Sequence, residues 1–259
     1  MKKTLIALAV AASAAVSGSA MAWTANGTGG QVEMGGTLIP ADVITPWEVK
    51  TGDAVTNLDG QIKKGQQTVA ITVNNAIPVL GIRTQTNDAF QGQAGITPQI
   101  DYHGSVDMSQ SLWGKAPVTL EVFDNASNKI GSLQTTLTTA AVYSSNNNGA
   151  DHQYGALAAN TAGTAFFGGL SSLSKALGYS DAVNVLNQIS SEFLEKYNQQ
   201  GATIENGMSL AFANVNYTYS AAYGSGITQG TAINITLDQA ASNDSIQWKA
   251  SLPITVSYQ

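Results

Sequence analysis

The sequence predicts an all-β chain, a sandwich of short strands interrupted by one helical insertion. Apolar residues alternate at period two in short runs along most of the 259 residues, and Gly, Asn and Asp punctuate those runs. Helical spacing replaces this rhythm only between about 144 and 206. With 43% hydrophobic residues the chain can build a core, and with 11% charged residues it suits strands and turns better than long solvated helices.

Met1 to Ala22 has the three parts of a cleavable secretory signal: Lys2 and Lys3, an apolar run from Leu5 to Val16, and the small-residue tripeptide Ala20-Met21-Ala22. The run is shorter than the roughly 20 residues of a membrane-spanning helix. Cleavage after Ala22 would remove two lysines and take the formal charge from −6 to −8. A mildly acidic chain without a Lys/Arg cluster is not expected to bind nucleic acid. Absence of cysteine excludes disulfides, iron–sulfur clusters and thiol catalysis.

A Gly/Thr/Asn leader, Trp23 to Gly30, leads into Gln31 to Ile39, where Val32, Met34 and Leu38 share one face with Gly36 in phase. Further strands are expected at 44–50, 67–73, 79–84, 98–102, 105–108, 118–123 and 129–138. Asp124 to Asn128 reads as a hairpin loop. Ser144 to Gly149 is polar throughout and reads as a surface loop that buries nothing. Two short amphipathic helices are expected next, one on Phe166, Leu170, Leu173 and Leu177, the other running from Ala182 to Tyr197 with Ser180 as N-cap. Strands resume at 210–219 and 232–237. The chain ends on Leu252, Ile254, Val256 and Tyr258, which alternate with polar residues.

Little in the sequence suggests catalysis, a metal or a cofactor. Asp101, His103 and Ser105 could be drawn as a triad, yet residues two apart read as a polar strand face, since triads are assembled from separate segments. His152 has no partner at metal-ligand spacing. Glu192 and Glu195, with Lys196 beside them, read as a solvated helix face. Glycine clusters at 27–30 and 168–169 lack the Lys and spacing of a phosphate loop.

The two ends stand out, because each is a strand with one apolar face. Gly30 to Leu38, Trp47-Glu48-Val49-Lys50, Tyr219 to Tyr223 and Gln247 to Tyr258 together resemble FaeG-type fimbrial subunits, the Cys-free pilins of chaperone-usher fimbriae in enterotoxigenic bacteria. The resemblance spans the chain and is weakest between about 105 and 205. It implies an incomplete immunoglobulin-like sandwich, residues 41–259, completed by a donor strand from another chain, with residues 23–40 as the donor extension. It implies Gly30, Val32, Met34, Gly36 and Leu38 as donor-strand positions. Leu252, Ile254, Val256 and Tyr258 would form the acceptor groove and chaperone contact. A periodic assembly of this kind is head-to-tail and does not close.

The implied partners are a periplasmic chaperone, an outer-membrane usher, other fimbrial subunits and a host glycoconjugate, and the implied location is a fimbrium on the cell surface. Receptor contact would fall in the insertion, where Asn146, Asn147, Asn148, His152 and Tyr154 offer neutral hydrogen-bonding and stacking groups. No Gly lies about fourteen residues from the end, so Tyr258 alone remains of the usual chaperone-recognition signature. Two other readings stay open at this level: a closed, soluble carbohydrate-binding sandwich, and an outer-membrane β-barrel. The insertion, the 7% aromatic content and the terminal Gln259 disfavour the barrel.

Overall fold

The computed structural model describes residues 34–37, 44–242 and 244–259. The chain divides into two units, Met1–Ala41 and Asp42–Gln259. The signal and the donor positions Gly30, Val32 and Leu38 lie outside the described residues. Met34 and Gly36 are described, exposed and without regular secondary structure.

In the second unit, strands β1 (Trp47–Thr51), β2 (Thr68–Thr72), β3 (Ile77–Thr84), β4 (Phe90–Gln91), β5 (Pro98–Asp101), β6 (Lys115–Phe123), β7 (Lys129–Asn146) and β8 (His152–Ala156) precede the helix α1 (Tyr179–Ile189). After it come β9 (Ile204–Glu205), β10 (Thr218–Ile227), β11 (Ala232–Leu237) and β12 (Thr255–Tyr258). The large sheet follows the order β1-β3-β10-β7-β11-β2, and β12 pairs with β5 in a second sheet. Both sheets are open, so the architecture is an all-β sandwich and not a barrel.

The 18-residue strand β7 organises the molecule. Its first half pairs with β6 and β11, and its second half pairs with β10 and β8. Alternation then sorts its side chains between two layers. Ala141 and Tyr143 enter the central core, whereas Ala140 and Val142 meet α1. Near-continuous burial from Thr138 to Ser145 follows from cover on both faces.

This burial corrects one expectation. Ser144 and Ser145 are buried in β7, not exposed in a loop, and the strand continues to Asn146. The Ser144 hydroxyl is tolerated because backbone supplies a partner: Ser144 Oγ donates to Asn198 O over 2.6 Å.

A second correction concerns the first expected helix. Between Phe166 and Leu177 only Leu173–Lys175 forms a single 3-10 turn. The backbone there is committed elsewhere. Ala165 N–H donates to Leu210 O over 2.7 Å and Phe166 N–H to Pro98 O over 2.8 Å, while Phe167 O accepts from Ile100 N–H at 2.8 Å. The apolar spacing instead serves the core, in which Phe166 and Leu170 are buried. The second helix is shorter than expected, with α1 ending at Ile189 and a 3-10 turn at Ser191–Leu194; Gly178, not Ser180, is its N-cap.

Other differences are boundary shifts. Residues 210–217 are turns and irregular backbone, and β10 begins at Thr218. Val106 makes only an isolated bridge to Val118, and Met108–Gln110 is a 3-10 turn. Regular pairing at the C-terminus is confined to β12, apart from a bridge between Lys249 and Phe123.

An aromatic cluster fixes the central core. Trp47 packs edge-on to Phe90 at 4.9 Å and to Phe166 at 5.9 Å, and Phe166 stacks on Tyr223 at 5.2 Å. The Trp47 indole N–H donates to Ile96 O over 2.6 Å, which satisfies the one polar group that this burial would otherwise strand.

Candidate functional site: an open groove beside the last strand

The last strand is held on one side only. β12 pairs antiparallel with β5, Val256 opposite Ile100 and Tyr258 opposite Pro98, and Gln259 exchanges two 3.0 Å backbone hydrogen bonds with Thr97. Among the described residues no strand pairs with its other edge. Val256 and Tyr258 are half-buried and pack on the central core, as do Leu252 and Ile254.

Along the stretch that leads into β12 lies a groove of about 1360 Å³. One wall is the irregular stretch from Thr51 to Ile62, the other the stretch from Asp244 to Leu252 with Ile254. Its floor is apolar, with Leu120, Leu133 and Leu137 from β6 and β7 and Ile71, Ile233 and Ile235 from β2 and β11. The volume exceeds the roughly 300–1,000 Å³ of small-molecule pockets, and the shape is that of a trough between layers. Leu252 and Ile254 line it, whereas Val256 and Tyr258 lie beyond its lining. The walls at 51–62 and the floor were not singled out in the sequence; the alternation of β6 and β7 was the available signal.

The other named residues fall at the opposite end of β7. Asn146 and His152 are cross-strand partners in the β7–β8 hairpin, and Asn147 and Asn148 form its tip. Asn146 Oδ1 accepts from Gly149 N–H at 2.7 Å, and Asn147 N–H donates to Asp151 O over 2.9 Å. Of the five polar candidates only Asn148 is fully exposed, at positive φ. Tyr154 is turned toward the helix, edge-on to Tyr179 at 4.8 Å.

Asp101, His103 and Ser105 do not form a triad. His103 Nδ1 is 3.7 Å from Asp101 Oδ2, but its Nε2 meets Thr255 Oγ1 at 2.8 Å, and the chain turns at His103 with φ of 52°. The described residues hold no cluster of metal-ligating side chains.

Glu192, Glu195 and Lys196 are more than a solvated face. Glu192 pairs with Lys50 at 2.6 Å, Glu195 with Arg83 at 3.0 Å, and Lys196 with Glu48 at 2.9 Å, so the turn after α1 is clamped to β1 and β3. Lys196 and Arg83 hold the Glu48 carboxyl below its ordinary range, and Lys50 does the same for Glu192.

The family model described as fimbrial, major and minor subunit matches residues 1–259. The chain belongs to this family. This fimbrial subunit is 31% identical to K88 fimbrial protein AC of Escherichia coli and 31% to K88 fimbrial protein AB of the same species, each over 100% of both chains. It is also 28% identical to the F41 fimbrial protein of Escherichia coli over 100% of both chains. The fimbrial subunit is thus a component of a surface fimbrium that assembles with other subunits.

Proposed function

We propose that this fimbrial subunit is exported by the chaperone-usher route and polymerises by donor-strand exchange. The carrying observation is an apolar groove lined by Leu252 and Ile254, which run directly into β12 with its unpaired edge. An unpaired edge strand that continues from an open apolar groove is an aggregation hazard, so a periplasmic chaperone covers both first, and the usher exchanges that cover for residues 23–40 of the next subunit. The five in-phase positions from Gly30 to Leu38 span eight residue steps, about 26 Å of extended chain, suited to a trough. Val32, Met34 and Leu38 would each contribute about 1.5–3 kcal/mol on full burial. Leu252 and Ile254 contact the donor directly, and Val256 and Tyr258 position the strand and offer the chaperone its edge.

The fibre attaches to host carbohydrate, with multiplicity along the shaft turning weak single sites into firm attachment. Deletion of Trp23–Ile39 tests the assembly reading. The truncated chain is expected to co-purify with its chaperone as a single subunit and to form no fibres by electron microscopy; polymers of the truncated chain would defeat the proposal.

A further inference from the structure

Leu112 and Lys115 close a two-residue turn with reciprocal 3.0 Å backbone hydrogen bonds, and Trp113 and Gly114 occupy its centre. Both central residues have positive φ, 48° and 71°, as in a type I′ turn. Asn, Asp and Gly are favoured there because a bulky side chain crowds its own backbone in this conformation. Trp113 is moreover 64% exposed, and its neighbour Leu112 is 46% exposed. This tryptophan therefore gains little from burial and sits where its backbone disfavours it. Such an outlier points to use of the ring itself.

The turn is rigid. Trp113 N–H donates to Lys175 O over 2.7 Å, and Gly114 O accepts from Thr139 N–H at 2.7 Å, so the tip is tied both to the insertion and to β7. The charge around it is also distinctive in a chain of net −6. Lys115 lies across the turn and Lys175 adjoins it, and neither forms an ion pair among the described residues. Asp107, the acidic residue of that neighbourhood, has its oxygens engaged by Ser109 and Gln110.

We infer that Trp113, with Lys115 and Lys175, forms a binding site for an anionic glycan, a sugar carrying a carboxylate or sulfate. The indole face stacks against the apolar C–H face of a pyranose ring, and the two ammonium groups meet the negative charge. The site rests on the adhesion reading above and places contact outside the β7–β8 hairpin tip.

The test uses the full-length mature chain on surfaces bearing sialyllactose, sulfated lactose or neutral lactose. Wild-type protein is expected to prefer the two anionic surfaces. Trp113→Asn is expected to bind them about tenfold more weakly or worse. Because Asn suits the turn, the same variant is expected to unfold at a higher temperature than wild type, which a structural role for the ring would not produce. Lys115→Gln with Lys175→Gln is expected to abolish the preference for anionic sugars. Wild-type binding that Trp113→Asn leaves unchanged, a preference for neutral lactose, or a lower unfolding temperature for Trp113→Asn overturns the inference while leaving adhesion standing. Wild-type protein that binds no surface overturns both.

Discussion

Phe193 seats its ring on bare backbone. A Cβ added at Gly224 would lie 2.3 Å from Phe193 Cδ2, and one at Gly81 would lie 2.4 Å from Cε1. These two glycines are cross-strand partners on β10 and β3, so together they make the flat seat on which the insertion rests. Gly224→Ala is expected to cost about 1–3 kcal/mol by overpacking, and Phe193→Ala about 3–5 kcal/mol by leaving a cavity. Combining them should cost clearly less than the sum, since the alanine methyl would then occupy the vacated space; thermal unfolding of the four proteins measures this coupling.

The charged clamp beside Phe193 gives the same contact a pH dependence. Glu48 and Glu192 have folded-state pKa values lowered below their ordinary 4.5. A lowered carboxylate contributes its stability fully above the unfolded value and loses it as pH falls through the folded value. The insertion is therefore expected to loosen on acidification below about 4.5, and sooner in high salt, because the groups are largely exposed. Hydrogen exchange of the α1 amides against pH and salt would follow it, and unchanged protection at pH 3 would contradict the clamp.

Among elements, β12 and the groove respond separately from the insertion. Ile254→Asp places a carboxylate in an apolar trough and is expected to weaken binding of a synthetic Gly30–Ile39 peptide by tenfold or more, with α1 exchange unaltered. Strands with a clean period of two were legible in the sequence: β11 has the bounds that alternation gave it, and β1, β3 and β6 overlap theirs with shifts of up to three residues at their starts. Phe166 and Leu170 misled, because spacing records which residues are apolar and not how their backbone is bonded. Ser144 and Ser145 misled in the opposite sense. The Ser144 hydroxyl is satisfied by Asn198 and Gln200, more than fifty residues away, and no local window contains such a partner.

For the whole molecule, the groove sets the energetics. A ligand that binds only the folded form raises its stability by mass action, so the Gly30–Ile39 peptide is expected to raise the unfolding temperature of a chain lacking residues 23–39 in a concentration-dependent way. A scrambled peptide of the same composition should not. The groove was legible only in part. The alternation at the C-terminal end singled out Leu252 and Ile254, but the walls at 51–62 have no periodicity and acquire meaning only where the fold lays them beside those two residues.

Strand β7 carries the groove floor at Leu133 and Leu137 and the insertion's seat at Ala140 and Val142 in one unbroken register. A single residue inserted or deleted within it would turn every later side chain to the opposite face. Apart from the bulge at Ile130, where β7 already carries one residue more than β6 opposite it, change in length is thus expected to be excluded from this strand while the connections around it grow or shrink. The alignment with K88 fimbrial protein AC runs over 284 positions against 259 residues here, so gaps have accumulated between the two lineages. Those gaps are expected to fall in the turns and the insertion, leaving β7 a fixed ruler against which the rest of the surface diversifies.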